Sequence, residues 1–319
     1  MRKLFFYVWL GVLFFNVTTL KAQQDAQFSY YMKNMLYYNP AFAGSEGITQ
    51  ISLLHRTQWA GYSSTFDDGG APQTQVFSVT TPIYKFNSGF GAHVVNDNLG
   101  PLNNLEIQLS YAYHLGIKKS KLSFGFRVGA FSQSINADEY RAIHPEDPTL
   151  DGLGDESQVR PDMALGAMFR TEKFYVGTSF NHLLKSEFDF GRSTIRNALE
   201  NHAYLTAGYM HQVNFDLKLS PSFLVQTDFN AYSFILGGLA YYKDTMWGGA
   251  SFRQGDDVNI LAGYNFLKDK SLSLGFSFGY VIKDQDAKEP VNYEILLSYQ
   301  LPVNPGIGKK VVRTPRFRH

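Results

Sequence analysis

The chain contains no cysteine. That excludes disulfides, thiol catalysis, cysteine zinc sites and a lipid-modified N-terminal cysteine. Charge is sparse and balanced: 18% of the 319 residues are charged, with a net +1. Nothing in that balance calls for nucleic acid or for a strongly charged substrate. Beyond the N-terminus no run reaches the ~18 apolar residues of a membrane-spanning helix, and mean hydropathy is slightly negative. Tight metal or catalytic motifs are also missing. The eight histidines form no H-E-x-x-H pattern, and no G-x-S-x-G elbow or Walker phosphate loop occurs. A catalytic role would need a nucleophile, base and orienter that cannot be named here, so the reading is of a protein that is not an enzyme and carries no cofactor.

What the chain has is aromatics and alternation. Phe (27), Tyr (20) and Gly (28) are abundant, as in β proteins with interface aromatics and crowded turns. In Asn103–Leu115, Leu105, Ile107, Leu109, Tyr111, Tyr113 and Leu115 alternate with Glu106, Gln108, Ser110, Ala112 and His114. Period two gives a strand with one apolar and one polar face. Its length matches the about 9–11 residues a tilted strand needs to cross hydrocarbon. Similar segments recur near 49–59, 73–82, 88–97, 121–132, 161–170, 173–182, 202–212, 215–226, 229–241, 246–253, 257–266, 271–281 and 291–301. With the first, that predicts an all-β, antiparallel up-and-down transmembrane barrel of about fourteen strands, spanning 49–301.

Connection lengths support the barrel over a secreted β-sandwich or jelly roll. The long connections, 60–72, 133–160, 183–201 and 282–290, all follow odd-numbered strands. Outer-membrane barrels place long loops on one side in this way, whereas a sandwich gives no reason for the parity. The inward faces read mostly as Ser, Gly, Gln and Asn, with scattered Glu106, Arg127 and Glu294. Small inward residues suit a narrow or plugged lumen, and sparse charge argues against a strongly ion-selective pore.

The ends read differently. Arg2 and Lys3 precede the apolar run Leu4–Leu20, and Leu20-Lys21-Ala22 then meets Gln23-Gln24-Asp25. This is the layout of a secretory signal peptide (1–22) with cleavage expected after Ala22; a retained anchor is the alternative. The exported product is then expected in the bacterial outer membrane. Residues 23–48 are aromatic-rich and broken by Pro40 and Gly44, so they read as an ordered periplasmic or lumen-facing segment packed under or inside the barrel, or as a recognition element. Residues 302–319 form a basic tail that is extended by prolines, and either solvated or touching an acidic partner or peptidoglycan. The acidic stretch 144–157, with Glu146, Asp147, Asp151, Asp155 and Glu156, reads as a surface loop before a calcium site, because its spacing is not that of an EF-hand. His114 reads as a hydrogen-bonding lumen residue. Trp59 reads as a brace for the N-terminal segment or first loop, or else as an interface-belt aromatic.

Linked motifs then resemble a known family. Gln27-Phe28-Ser29-x-Tyr31-Met32-x-Asn34, followed by Asn39-Pro40-Ala41-Phe42-Ala43-Gly44-Ser45, is similar to the N-terminal signature of the PorP/SprF family. Arg56-x-Gln58-Trp59-x-Gly61, Gly70-Ala71-Pro72-x-Thr74, Pro82 and the terminal Arg313-Thr314-Pro315-Arg316-Phe317 continue the likeness, while Phe42 stands where many members carry Tyr. The resemblance implies a non-enzymatic outer-membrane component of the type IX secretion and gliding systems of Bacteroidetes. It further implies partners: a secreted cargo protein, often an adhesin with a C-terminal sorting domain, and periplasmic secretion or peptidoglycan-associated proteins. A general porin for small solutes is the alternative.

Overall fold

The computed structural model describes residues 25–62, 70–136, 156–190, 197–283, 285 and 288–301. The alternating segments form fourteen wall strands: β1 (Thr49–Thr57), β2 (Gln73–Ile83), β3 (Ser88–Leu99), β4 (Leu102–Ile117), β5 (Ser120–Ile135), β6 (Glu156–Arg170), β7 (Phe174–Asn181), β8 (His202–Tyr209), β9 (Leu217–Thr227), β10 (Tyr232–Tyr242), β11 (Met246–Arg253), β12 (Asp257–Phe266), β13 (Leu272–Val281) and β14 (Val291–Leu301). Each pairs antiparallel with the next. β14 returns to β1, from Thr49 opposite Leu301 to Thr57 opposite Tyr293, so the sheet closes and keeps no free edge. Within the connection after β7, Glu187–Phe188 and Asn197–Ala198 form a short separate ribbon.

Period-two patterning sets the two faces. Along β4, Ile107, Leu109, Tyr111, Tyr113 and Leu115 are exposed on the outside, while Glu106, Gln108, Ser110, Ala112 and His114 are buried inside. A soluble fold would not leave such a belt in water; in lipid it is the favourable arrangement. The two ends differ as expected. The connections after β1, β5, β7 and β13 are the long ones and leave one end. The opposite end is closed by short turns such as Lys118–Lys119 and Lys243–Thr245, where Lys118, Lys243 and Asp244 adopt the positive φ that tight hairpins require. Exposed Phe86, Tyr113, Phe174, Tyr209, Tyr242 and Phe266 ring that turn end as an aromatic girdle.

Strand β6 departs from expectation by starting at Glu156 rather than near 161. Pro161 donates no ladder hydrogen bond, yet the backbone continues in register through it, opposite Ala130.

The core is not between two sheets. It lies between the wall and residues 25–47, which run down through the lumen from the long-loop end to the turn end before entering β1. Here the chain forms two short 3-10 turns, Tyr31–Lys33 and Pro40–Phe42, around the single helical turn Met35–Tyr38. Phe28, Tyr30, Tyr31, Tyr37 and Tyr38 are fully or almost fully buried against Leu54, Val76, Val95, Tyr204, Leu224, Trp247 and Leu296 of the wall. Edge-on ring pairs, Phe28–Tyr37 at 5.3 Å, Tyr30–Trp247 at 5.5 Å and Tyr38–Tyr204 at 5.4 Å, add about 0.5–1.5 kcal/mol each beyond area burial.

Candidate functional site

Among the described residues, the plugged lumen is where side chains from most of the wall strands converge on one segment. At the turn end the fit is made backbone to backbone. Asn39 Nδ2 donates to the Ala167 and Thr178 carbonyls at 3.1 and 3.0 Å, and its Oδ1 accepts from Ala41 N at 2.8 Å. A Cβ at Gly125 would lie 2.2 Å from Ala41 N and 2.4 Å from the Pro40 carbonyl carbon. Gly44, at φ +66°, donates its N–H to Thr80 Oγ1 at 2.6 Å and leaves no room for a side chain beside Gly89 and Thr81. The Ala43 carbonyl meets His114 Nε2 at 3.0 Å, with His114 Nδ1 on Ser123 Oγ at 2.8 Å. Glu46 pairs with Arg170 at 2.5 Å at the rim. Partial burial works against the Glu46 charge, but the guanidinium holds its carboxyl below the ordinary value.

Midway, Arg127, 1% exposed in its side chain, donates to the Leu36 and Tyr37 carbonyls at 3.2 and 2.8 Å, with Glu106 3.8 Å away. Ser179 Oγ donates to the Tyr38 carbonyl at 2.7 Å. Tyr30 OH donates to the Phe276 carbonyl at 2.7 Å, with the Ala262 carbonyl 3.1 Å away, and Tyr31 OH meets Ser222 Oγ at 2.8 Å.

Nearer the long-loop end, charge replaces shape. Glu294 accepts from the backbone N–H groups of Ser29 and Tyr30 at 2.6 and 3.1 Å while Arg56 Nε lies 3.5 Å away. Asp25 meets His182 Nε2 at 2.9 Å, accepts a short hydrogen bond from Tyr204 OH, and lies 3.7 Å from His202 Nδ1. Behind His182, Asp162 Oδ2 is 3.1 Å from Nδ1. Burial works against the His182 charge, but Asp25 and Asp162 hold it well above the ordinary imidazole value. Burial likewise opposes ionisation of Asp25, yet His182 and His202 hold that carboxyl well below its usual range. Among the described residues, the buried carboxylates are Asp25, Asp97, Glu106, Asp162, Asp257 and Glu294, and the buried guanidiniums are Arg56, Arg127 and Arg253.

The residues singled out in the sequence fall into two groups. Phe28, Tyr31, Asn34, Asn39, Pro40, Ala41 and Gly44 are buried in the plug, with Gln27 and Met32 half-buried there. Arg56 reaches the plug through Glu294. Gln58, Trp59 and Pro72 instead organise the base of the first long connection. Gln58 N donates to the Pro72 carbonyl at 2.9 Å, and Trp59 N donates to Asn292 Oδ1 at 2.8 Å. The Trp59 ring stacks under Lys288 Nζ at 5.4 Å and against Tyr62. Its ring contacts are thus with residues of the first and last long connections. Ala22 with the leader, Arg313 and Arg316 with the basic tail, and Glu146, Asp147, Asp151 and Asp155 of the acidic stretch lie outside the described residues.

The lumen holds more charge than the alternation suggested. Asp97 extends the inward face of β3 to its end, and Arg253 and Asp257 flank one tight connection. Strict extension of the period would have placed Asp97 inward. No spacing could have joined Asp25 to His182 and His202, which bracket a connection far along the chain.

Comparison with known proteins identifies the family. The model of the type IX secretion system membrane protein PorP/SprF matches residues 20–299. The chain is a member of the PorP/SprF family. None of the curated proteins matches this PorP/SprF chain. Among solved structures, it is similar to a mutant of the monoaromatic hydrocarbon channel TodX, with TM-score 0.52 and 14% identity over 83% of this chain and 93% of that one. A second TodX mutant gives 0.50 at 14% identity over 84% and 94%. The toluene transporter TbuX of Ralstonia pickettii gives 0.48 at 14% identity over 87% and 94%. At such identities the TodX likeness carries the fold alone: an outer-membrane-type barrel in a type IX secretion membrane protein.

Proposed function

We propose that this family member is a non-enzymatic outer-membrane barrel that supports secretion or surface attachment of cargo proteins through protein–protein contacts. The observation that carries the reading is the filled lumen. Residues 25–47 occupy the space a solute channel would keep open, and inward-facing charges that could select ions are engaged with that segment or with one another. The long connections gather at one end, with the first braced by Trp59, and offer a surface for a folded partner. The partners are a secreted protein bearing a C-terminal sorting domain, such as an adhesin in gliding, and periplasmic secretion or peptidoglycan-associated proteins. The motif residues of the plug act by holding the barrel shut and shaping that surface.

The test is a native pull-down. The tagged mature protein is extracted from outer membranes in mild detergent and its companions are identified by mass spectrometry. Recovery of a secreted protein's C-terminal domain with periplasmic envelope proteins is expected. A bare barrel that conducts ions in a planar bilayer would overturn the reading in favour of a small-solute channel. Trp59→Ala is expected to leave barrel levels in the membrane normal while lowering cargo display.

A further inference from the structure

The cluster that receives residue 25 has the make-up of a transition-metal site. Asp25, His182 and His202 each present a ligand atom, and all of these lie within 4.8 Å of one another. Asp25 sits 2.9 Å from His182 Nε2 and 3.7 Å from His202 Nδ1. Around a tetrahedral ion with bonds of about 2.0–2.1 Å, ligand atoms stand about 3.3 Å apart. The two distances to Asp25, from its Oδ1 to His182 and from its Oδ2 to His202, lie within a few tenths of an ångström of that spacing, and all three ligand atoms fall within 4.8 Å of one another.

Two further observations point the same way. Asp162 Oδ2 lies 3.1 Å from His182 Nδ1 and is itself fixed by Gln108 Nε2 at 2.7 Å. His182 Nδ1 makes no aligned hydrogen bond, but a carboxylate at ion-pair distance behind an imidazole is placed to orient a metal-binding histidine and raise its basicity. His202 is 1% exposed, yet its Nε2 has no hydrogen-bond partner among the described residues, and its Nδ1 is shared between the Glu200 carbonyl at 3.1 Å and Asp25. A buried imidazole whose Nε2 makes no hydrogen bond and whose Nδ1 lies 3.7 Å from Asp25 has a ring nitrogen to give to an ion beside a carboxylate and a second imidazole.

We propose that Asp25, His182 and His202 bind one divalent transition-metal ion of the zinc class, with Asp162 as a positioning residue, and that this ion fastens the N-terminal segment to the barrel wall. Two imidazoles and one carboxylate suit zinc, whereas calcium and magnesium require oxygen-rich sets. Tyr204, whose hydroxyl sits on Asp25, or a water takes the fourth position. The ion links the start of the plug to the far ends of β7 and β8 and so anchors the half of the plug that shape holds least. This site stands independently of the secretory reading.

The test uses the full mature chain without a histidine tag. It is extracted in detergent, stripped with a chelator and titrated with Co²⁺, whose visible absorption reports low-symmetry nitrogen and oxygen coordination. One Co²⁺ per chain is expected, displaced by Zn²⁺. Asp25→Asn and His202→Ala are expected to weaken binding by about 100-fold or more, and Asp162→Asn by about 10–100-fold. Heat-modifiable migration checks that each variant keeps its barrel; Asp25→Asn lies in the plug and leaves the wall unaltered. Absence of Co²⁺ binding by the wild type, or equal binding by wild type, Asp25→Asn and His202→Ala, would overturn the site.

Discussion

The two halves of the plug are equally buried but held by different physics. Residues 38–45 are fitted to the turn-end wall by backbone approach at Gly125 and Gly89 and by neutral hydrogen bonds through Asn39 and His114. Residues 25–31 are held by ionisable groups: Asp25 on His182 and His202, and Glu294 between Arg56 and two plug amides. Contacts set by shape are short-ranged and fail together when one atom is added. Contacts set by charge depend on the protonation and partners of each group, so the two halves are expected to respond differently to substitution.

The largest effect should come where the halves meet. Arg127→Met removes the donor to the Leu36 and Tyr37 carbonyls and leaves Glu106 short of its partner. We expect a loss of ~3–5 kcal/mol, read as a drop in the denaturant midpoint of the detergent-solubilised barrel. A loss below ~1 kcal/mol would mean that plug and wall are not one cooperative unit. Next, Gly125→Ala drives a methyl into the Pro40–Ala41 backbone and should cost ~1–3 kcal/mol or more. Trypsin should then cut at Lys33 in a barrel that still migrates as folded. An uncut plug would show that the turn-end fit has slack.

Asp25→Asn should act only on the other half. It removes the carboxylate facing His182 and should cost ~1–3 kcal/mol locally. Hydrogen exchange is expected to quicken for the amides of 26–31 while those of 35–45 stay protected. Equal quickening in both would erase the contrast drawn here. The smallest effect belongs to Glu46→Gln, ~0–1 kcal/mol, because the pair with Arg170 is partly exposed. Its sign with pH is definite. The folded carboxyl lies below its ordinary value, so its contribution is complete above about pH 5 and fades as pH falls through the lowered value. The gap between wild type and variant should therefore close on acidification.

The wall was legible because its signal is local. Alternation marks each strand within ten or so residues, and the short turns separate them, so strand number, outward face and the parity of the connections follow from reading along the chain. The buried positions of Glu106, Gln108 and His114 follow from the same period. The errors of one to three residues at other strand ends go both ways: β4 and β5, like β6 at Glu156, keep pairing past the point where apolar residues stop, whereas Gln58, Trp59 and residues 229–231 belong to connections. The aromatic crowding of 25–47 showed that the segment is ordered. It did not show where the segment goes, since Phe28 or Tyr38 would suit any buried surface equally.

Sequence by itself therefore determined the barrel: a period of two, repeated fourteen times with every long connection after an odd-numbered strand, has one low-energy arrangement in a bilayer, where every backbone polar group must be paired. Tertiary structure alone decided the lumen. Asp25 meets His182 across 157 positions of sequence, and Glu294 meets Ser29 across 265. Such contacts depend on the register in which β14 closes on β1 and on the path of a segment with no period of its own. Local patterning carries neither, so the charged clamp on the plug became visible only when the wall had closed around it.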